Sequence, residues 1–196
     1  YTTIYGDGIA WLDAQTIDYI VPQLYWRFGG GQDYAKLATW WAEQAASRGR
    51  HMYPGHGLYR TDRNTFSSGL FKSNEIPRQV RYNRANADIG GSVFFRAKNL
   101  TNFESPGFRD SLITDLYRHG AISPVMAWKD QTPPPSPRNL SVEQDPETEY
   151  IFRLDWDAAD WSGKLRKTSA GHADTLLKYA VYRVDAPSMP DPAAAM

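Results

Sequence analysis

Apolar and polar positions near the start of the chain predict a strand with a binding face at its end. Residues 17–24 open with an apolar, largely β-branched run, which is typical of a parallel strand covered on both faces. Pro22 lacks a backbone donor and ends the ladder pairing. Gln23, Tyr25 and Trp26 then lie at the carboxyl end of the strand, where α/β sheets hold ligand-contacting residues.

The same order of strand, loop and helical stripe occurs three times in the first 120 residues. The expected strands cover residues 17–24, 51–59 and 90–100. The expected helices cover residues 33–48, a segment starting near residue 74, and a segment from 105 to 120. A shorter apolar run follows at residues 122–130. Repeated βα units of this kind predict a parallel sheet with helices packed against it.

The helical segments carry expected ends and faces. Asp33 is the predicted N-cap of the first helix, and Gly49 its end. This helix is expected to bury an apolar stripe formed by Leu37, Trp40, Trp41 and Ala45. The third helix, with Gly120 as its stop, is expected to bury Phe108, Leu112, Ile113, Leu116 and Tyr117.

A proline-rich linker at residues 132–137 separates two different patterns. Three consecutive prolines favour an extended chain, so a second domain is expected after them. Residues 139–143, 151–156 and 179–184 alternate in polarity without helical stripes, which predicts strands of a β-sandwich.

Neither predicted domain has the number of elements that a complete fold requires. A closed (β/α)8 barrel takes ~250 residues, and a sandwich of this type takes ~7 strands. We therefore expect an α/β fold class, the C-terminal part of a (β/α)8 barrel, followed by an incomplete all-β sandwich. The expected domains are residues 1–131, the linker 132–137 and residues 138–196, with further βα units encoded upstream of Tyr1.

Composition excludes several classes of function. Twenty-two basic residues balance 22 acidic ones, which gives no electrostatic footprint for nucleic acid. The absence of cysteine excludes disulfides and thiolate metal sites. No apolar run approaches the ~18 residues of a membrane span, so none is expected. The oligomeric state stays open.

Several motifs occur in a characteristic order along the first 130 residues. They are IDYIVPQLYW, the tryptophan pair at 40 and 41, YPGHGLY, NEIPRQV, GGSVFF and PVMAW. In order and spacing they resemble the glycosyl hydrolase-like 10 family. The resemblance implies a bacterial, secreted, periplasmic or cell-surface barrel enzyme, some relatives of which resemble hydrolases of peptidoglycan glycan strands. RNLSVE, with Trp156 and Tyr182 on the strands that follow, resembles a fibronectin type III domain.

The resemblance implies a glycoside hydrolase with a polysaccharide or glycan-strand substrate and no cofactor. No metal is expected, because no second histidine lies at ligand spacing from His56. Hydrolysis would use two carboxyl groups, which we expect upstream of Tyr1. Within the chain, Glu75 is the candidate catalytic residue. Its position in the first turn of a helix offers a structural alternative, because an acidic side chain is stabilised there by the helix dipole.

Six residues are candidates for substrate binding: Gln23, Tyr25, Trp26, His56, Arg96 and Trp128. Flat aromatic rings cover the apolar face of a sugar, while polar side chains bind its hydroxyls. Each candidate also has a structural interpretation, such as packing for the aromatic residues or a buried hydrogen-bonded histidine for His56. A noncatalytic carbohydrate-binding or cell-envelope scaffold protein is the alternative function, because a fold does not fix an activity.

Overall fold

The computed structural model describes residues 5–62, 70–101, 108–129, 135–148, 150–157 and 181. Described residues up to Lys129 form one compact unit, and those from 135 to 181 belong to a second. The predicted domain boundaries stay predictions, and residues 132–134 of the linker lie outside the described part of the chain.

The first unit alternates short strands with helices. Its elements are α1 (Gly8–Asp13), β1 (Tyr19–Ile20), α2 (Tyr34–Ala46), β2 (His51–Met52), β3 (Gly55–Gly57), a 3₁₀ helix (Leu58–Thr61), α3 (Glu75–Arg84), β4 (Val93–Phe95), α4 (Ala97–Thr101), α5 (Phe108–Ser111) and a π-helical turn (Leu112–Leu116).

The strands of the first unit lie side by side in sequence order and are all parallel. β1 pairs with β2 through Tyr19 and His51, and a parallel bridge joins Gln23 to Gly55. β3 pairs with β4, with Gly57 opposite Phe95. Each predicted strand thus contains observed strand residues. The described residues contain no closed barrel, and the (β/α)8 fold stays a prediction.

The strands are shorter than predicted for identifiable reasons. Pro22 and Pro54 cannot donate to the ladder, so each divides a predicted strand into two short pairings. The prediction of strand structure beyond Gly57 was wrong, because a 3₁₀ helix begins at Leu58. It was also wrong beyond Phe95, because α4 begins at Ala97.

Helix α2 confirms its predicted N-cap but not its whole predicted face. The Asp33 side chain accepts a hydrogen bond of 3.0 Å from the Lys36 amide, and Gly49 follows the helix with φ +63°. Trp40 is 45% exposed, so the prediction that it is buried was wrong. The buried row is Tyr34, Ala38, Ala42 and Ala45, with Leu37 and Trp41 packed beside it. Small alanines allow the helix to approach the sheet closely, and this moves the contact face away from Trp40.

The last two helical segments also shift relative to the prediction. α3 begins at Glu75, directly after Asn74, as predicted. In the segment that starts at Phe108, Leu112 and Leu116 are buried, but Ile113 is 56% exposed. The π-helical turn ends at Leu116, before the predicted stop at Gly120, because the wider turn replaces regular α-helical hydrogen bonding.

Among the described residues, helices cover only one face of the parallel sheet. Leu24 and Met52 pack in one core cluster with α2, and Leu58 packs in a second cluster with α3. On the other face, Tyr19 is 50% exposed and Phe95 is 49% exposed. Within the described residues, the predicted covering of residues 17–24 on both faces is therefore not seen at Tyr19. We call this second side the open face.

The second unit contains an antiparallel pair of strands, β5 (Arg138–Gln144) and β6 (Phe152–Asp157). Val142 lies opposite Leu154. These strands confirm two of the three predicted after the linker. The third, at residues 179–184, lies outside the described residues except for Val181, and the fibronectin-like sandwich stays a prediction.

Candidate functional site

The carboxyl ends of the parallel strands bring three aromatic rings together, one from each βα unit. Tyr25 stacks on Phe95 with ring centroids 6.1 Å apart and an interplanar angle of 29°. Tyr59 meets both rings edge-on, at 5.7 Å from Tyr25 and 6.2 Å from Phe95. We call these three residues the aromatic edge.

A glycine makes room for this arrangement. A β-carbon added at Gly57 would lie 3.1 Å from Cγ of Tyr25, so the ring can cross the strand only where no side chain stands. Burial, with Tyr59 nearby, raises the pKa of the Tyr25 hydroxyl above its usual value. The hydroxyl is therefore protonated at neutral pH and can both donate and accept a hydrogen bond.

A cleft of about 400 Å³, lined by both polar and aromatic side chains, lies beside the aromatic edge. It is lined by Trp26, Arg27, Gly30, Gly31, Gln32, Arg60 and Phe71. The Arg60 guanidinium carbon lies 5.6 Å from the Phe71 ring centroid and 5.9 Å from that of Tyr59. Because Tyr59 and Arg60 are consecutive, the cleft and the aromatic edge adjoin.

His56, on β3, is fully buried between the sheet and helix α3. Its Nδ1 lies 2.9 Å from Oε1 of Gln79, and the Asn83 amide nitrogen lies 3.2 Å from its Nε2. An amide nitrogen only donates, so Nε2 accepts and the proton resides on Nδ1. Tyr34 donates to the Asn83 side-chain oxygen at 2.8 Å, which fixes the orientation of that amide.

The hydrogen bonds continue along α3 toward the cleft. Gln79 Nε2 donates to Glu75 Oε1 at 3.1 Å and to the Trp26 carbonyl at 3.0 Å. The Phe28 amide donates to the same Glu75 oxygen at 3.0 Å. Glu75, Gln79 and Asn83 are spaced four residues apart, so they share one face of the helix. We call these three residues, with His56 and Tyr34, the buried network.

The buried network is uncharged at its histidine and its tyrosine. Burial lowers the pKa of His56 to about 4, and burial raises the pKa of Tyr34 above its ordinary value. The imidazole also stacks between Tyr34, at 5.6 Å, and Phe94, at 5.1 Å. The structure therefore favours the structural interpretation of His56 over sugar binding. Both of its nitrogens bind other side chains, and neither face of the ring is open.

Four of the six predicted binding residues lie at the carboxyl edge of the sheet. Gln23 is exposed and bridges to Gly55, and Tyr25 belongs to the aromatic edge. Trp26 lines the cleft, and the exposed Arg96 directly follows β4. His56 is the fifth and lies beneath this edge, inside the core.

Trp128, the sixth, lies at the opposite edge of the sheet. Its indole nitrogen donates to Oδ1 of Asp18 at 3.0 Å, and the Arg50 guanidinium carbon lies 4.8 Å from its ring centroid. Asp18 and Arg50 directly precede β1 and β2, at the amino ends of these strands. The geometry therefore separates Trp128 from Tyr25 and Trp26.

Sequence reasoning missed several components of this edge. Glu75, Gln79 and Asn83 follow one another at intervals of four residues, and this spacing was the available signal. Tyr59 was missed because its predicted position at a strand end did not identify its partners. Among the described residues, no three histidine, cysteine, aspartate or glutamate side chains are placed to hold a metal ion.

The sequence of this chain is similar to those of known glycosyl hydrolases. No family model matches the chain. Glycosyl hydrolase YngK of Bacillus subtilis is 37% identical over 146 residues, which cover 74% of this chain and 28% of that protein. Glycosyl hydrolase DigH of Escherichia coli K12 is 30% identical over 105 residues, which cover 51% of this chain and 24% of that protein.

This chain is related to bacterial glycosyl hydrolases. It spans about a quarter of the length of the curated relatives that it matches. The predicted resemblance is confirmed at this general level. The assignments to the glycosyl hydrolase-like 10 family and to the fibronectin type III domain stay predictions. No helix among the described residues is long and apolar enough to cross a membrane.

Proposed function

We propose that this chain is part of a glycoside hydrolase that cleaves glycosidic bonds in a bacterial cell-envelope or extracellular polysaccharide. Peptidoglycan glycan strands are one candidate substrate. One observation carries the proposal: in a relative of glycosyl hydrolases, the aromatic edge adjoins a cleft lined by polar and aromatic side chains at the carboxyl ends of neighbouring parallel strands. This is the edge at which α/β barrels bind their substrates.

The side chains at this edge suit a sugar ring. An aromatic face covers the apolar C–H face of a pyranose, and Trp26 and the half-exposed Phe95 can supply such a face. Gln23 and Arg60 add polar groups that can bind hydroxyl or carboxylate oxygens. Sugar binding therefore occurs, in this proposal, along the aromatic edge and in the cleft.

The proposed fold is a (β/α)8 barrel whose inner side includes the open face. The parallel strands β1 to β4, which lie in sequence order with helices on one side only among the described residues, support it. Parallel sheets are almost always covered on both faces, so further strands are expected opposite Tyr19 and Phe95. For the second unit, the antiparallel pair β5–β6 supports a fibronectin type III-like sandwich.

The proposed catalysis uses two carboxyl groups, ~5–9.5 Å apart, as acid and as base or nucleophile. Glu75 is only 7% exposed, and its Oε1 already accepts two hydrogen bonds. We therefore place the catalytic pair on other strands of the full-length protein. Because such a polysaccharide lies outside the cytoplasm, the proposed location is secreted, periplasmic or cell-surface.

The decisive experiment incubates the full-length gene product with peptide-stripped peptidoglycan glycan strands and with neutral polysaccharides. Mass spectrometry then detects new reducing ends. Defined oligosaccharide products from one substrate support the hydrolase and identify its substrate class. Glycan binding without products would contradict the hydrolase and favour a noncatalytic carbohydrate-binding protein.

A matched pair of variants locates the binding site. Trp26→Ala removes the indole from the cleft, and we expect glycan binding to weaken about tenfold, the equivalent of one lost aromatic contact. Trp40→Ala removes an indole that is 45% exposed on helix α2, and binding should not change. Equal losses in both variants would contradict the placement of the sugar at the cleft.

A further inference from the structure

We propose that Glu75 is a positioning residue, which holds the backbone of Trp26 and Phe28 at the wall of the cleft. This inference rests on the proposed function for the identity of the ligand. It assigns to Glu75 a role different from that of a catalytic acid or base, and it makes helix α3 part of the support of the binding edge.

Two hydrogen bonds attach one short backbone segment to α3. The Phe28 amide donates to Oε1 of Glu75 at 3.0 Å. The Trp26 carbonyl accepts from Nε2 of Gln79 at 3.0 Å, and the same nitrogen donates to Glu75 Oε1 at 3.1 Å. Glu75 thus binds the segment directly at Phe28. It also orients the side-chain amide of Gln79, which binds the segment at Trp26.

The attached segment leads directly into the loop that lines the cleft. Trp26 is itself a lining residue, and the lining residues Gly30 and Gly31 follow two and three residues after Phe28. At the far end of this loop, Asp33 accepts from the Gly29 amide and also caps α2. The loop is therefore anchored at both ends, by Glu75 on one side and by Asp33 on the other.

The surroundings of Glu75 favour support over proton transfer. Oε1 accepts from two protein N–H groups, and Oε2 lies 3.9 Å from the Arg78 guanidinium. The residue is 7% exposed, beneath the segment that it holds. A general acid or base must reach the proton that it transfers, within hydrogen-bond distance or through one water. The carboxylate oxygens are directed at the protein instead.

Conservative and non-conservative substitutions separate the two roles. Glu75→Gln keeps an oxygen acceptor for the Phe28 amide but removes the carboxylate, whereas Glu75→Ala removes both. We expect Glu75→Gln to keep kcat near the wild-type value and Glu75→Ala to raise KM about tenfold, as for one lost buried hydrogen bond. Glu43→Gln and Glu43→Ala, at an exposed position on α2, are the matched controls.

Hydrogen exchange of the full-length protein supplies a readout that does not depend on activity. The Phe28 amide should exchange about tenfold faster in Glu75→Ala and at the wild-type rate in Glu75→Gln. The Leu24 amide, which donates to the Gly55 carbonyl at 3.0 Å, should be unaffected in both variants. Unchanged Phe28 exchange in Glu75→Ala would overturn the positioning role.

The kinetic outcome can also overturn the inference. A loss of kcat of about a hundredfold or more in Glu75→Gln, with wild-type exchange at Phe28, would identify Glu75 as a catalytic acid or base. If the wild-type protein neither binds nor cleaves any glycan, the proposed function fails, whereas the exchange measurement still decides the positioning role.

Discussion

Lowering the pH from neutral should destabilise the folded protein through His56. The unfolded histidine has the ordinary pKa of 6.5, whereas burial lowers the pKa in the folded protein to about 4. Between these values the unfolded chain binds more protons, so the free energy of unfolding rises with pH across this window. The stability is fully present above pH 6.5 and is lost as the pH falls to about 4.

The size of the effect follows from the difference between the two pKa values. Each unit corresponds to about 1.4 kcal/mol, so the full window contributes about 3 kcal/mol. Between pH 7 and pH 5 the contribution lost is about 2 kcal/mol. The main physical cause is burial, which penalises the charged imidazolium, and an imidazolium could also not accept the hydrogen bond that Asn83 donates to Nε2.

Urea unfolding of the full-length protein at pH 7 and pH 5 measures this loss. His56→Gln removes the titrating group, so the wild type should lose about 2 kcal/mol more than the variant over this interval. His119→Gln, at an exposed histidine, is the control and should lose as much as the wild type. Nitrogen-15 NMR of the imidazole should detect the proton on Nδ1. Equal losses in wild type and His56→Gln would refute the buried network as the cause.

Two further substitutions test the edges of the sheet. Gly57→Ala places a β-carbon 3.1 Å from the Tyr25 ring, and we expect thermal unfolding to show a loss of about 1–3 kcal/mol in stability. Gly31→Ala is the control: its β-carbon meets no described atom within 4 Å, so the stability should not change. Trp128→Phe removes the hydrogen bond to Asp18 at the amino edge and should leave glycan binding unchanged in a titration. Weaker binding in Trp128→Phe would place the ligand elsewhere.

The sequence predicted the order of the elements because local signals determine it. Asp33 caps the start of α2 and Gly49 follows its end, both as predicted. Asn74 precedes α3, also as predicted. The lengths of the strands were predicted poorly. Pro22 was recognised as a break in the ladder, but the equivalent effect of Pro54 was not, and the helical tendency of residues 97–101 was overlooked.

The positions of the candidate site residues depended on contacts between distant segments, which periodicity does not give. Tyr25 and Trp26 were predicted at a carboxyl edge, and the structure places them there. Trp128 lies at the other edge because its partner is Asp18, 110 residues earlier in the chain. Such a contact depends on how the segments pack, so residue type and spacing alone could not have placed Trp128.

The alternation of side chains along β3 explains why one strand contributes both to the core and to the open face. His56 points toward α3, so its neighbours Gly55 and Gly57 face the opposite side of the sheet. Because Gly57 lacks a side chain, the open face has room there for the ring of Tyr25. Gly57 therefore shapes the aromatic edge, while His56 joins the strand to helix α3. A polar residue between two glycines can thus be structural even where the surrounding edge is the proposed binding site.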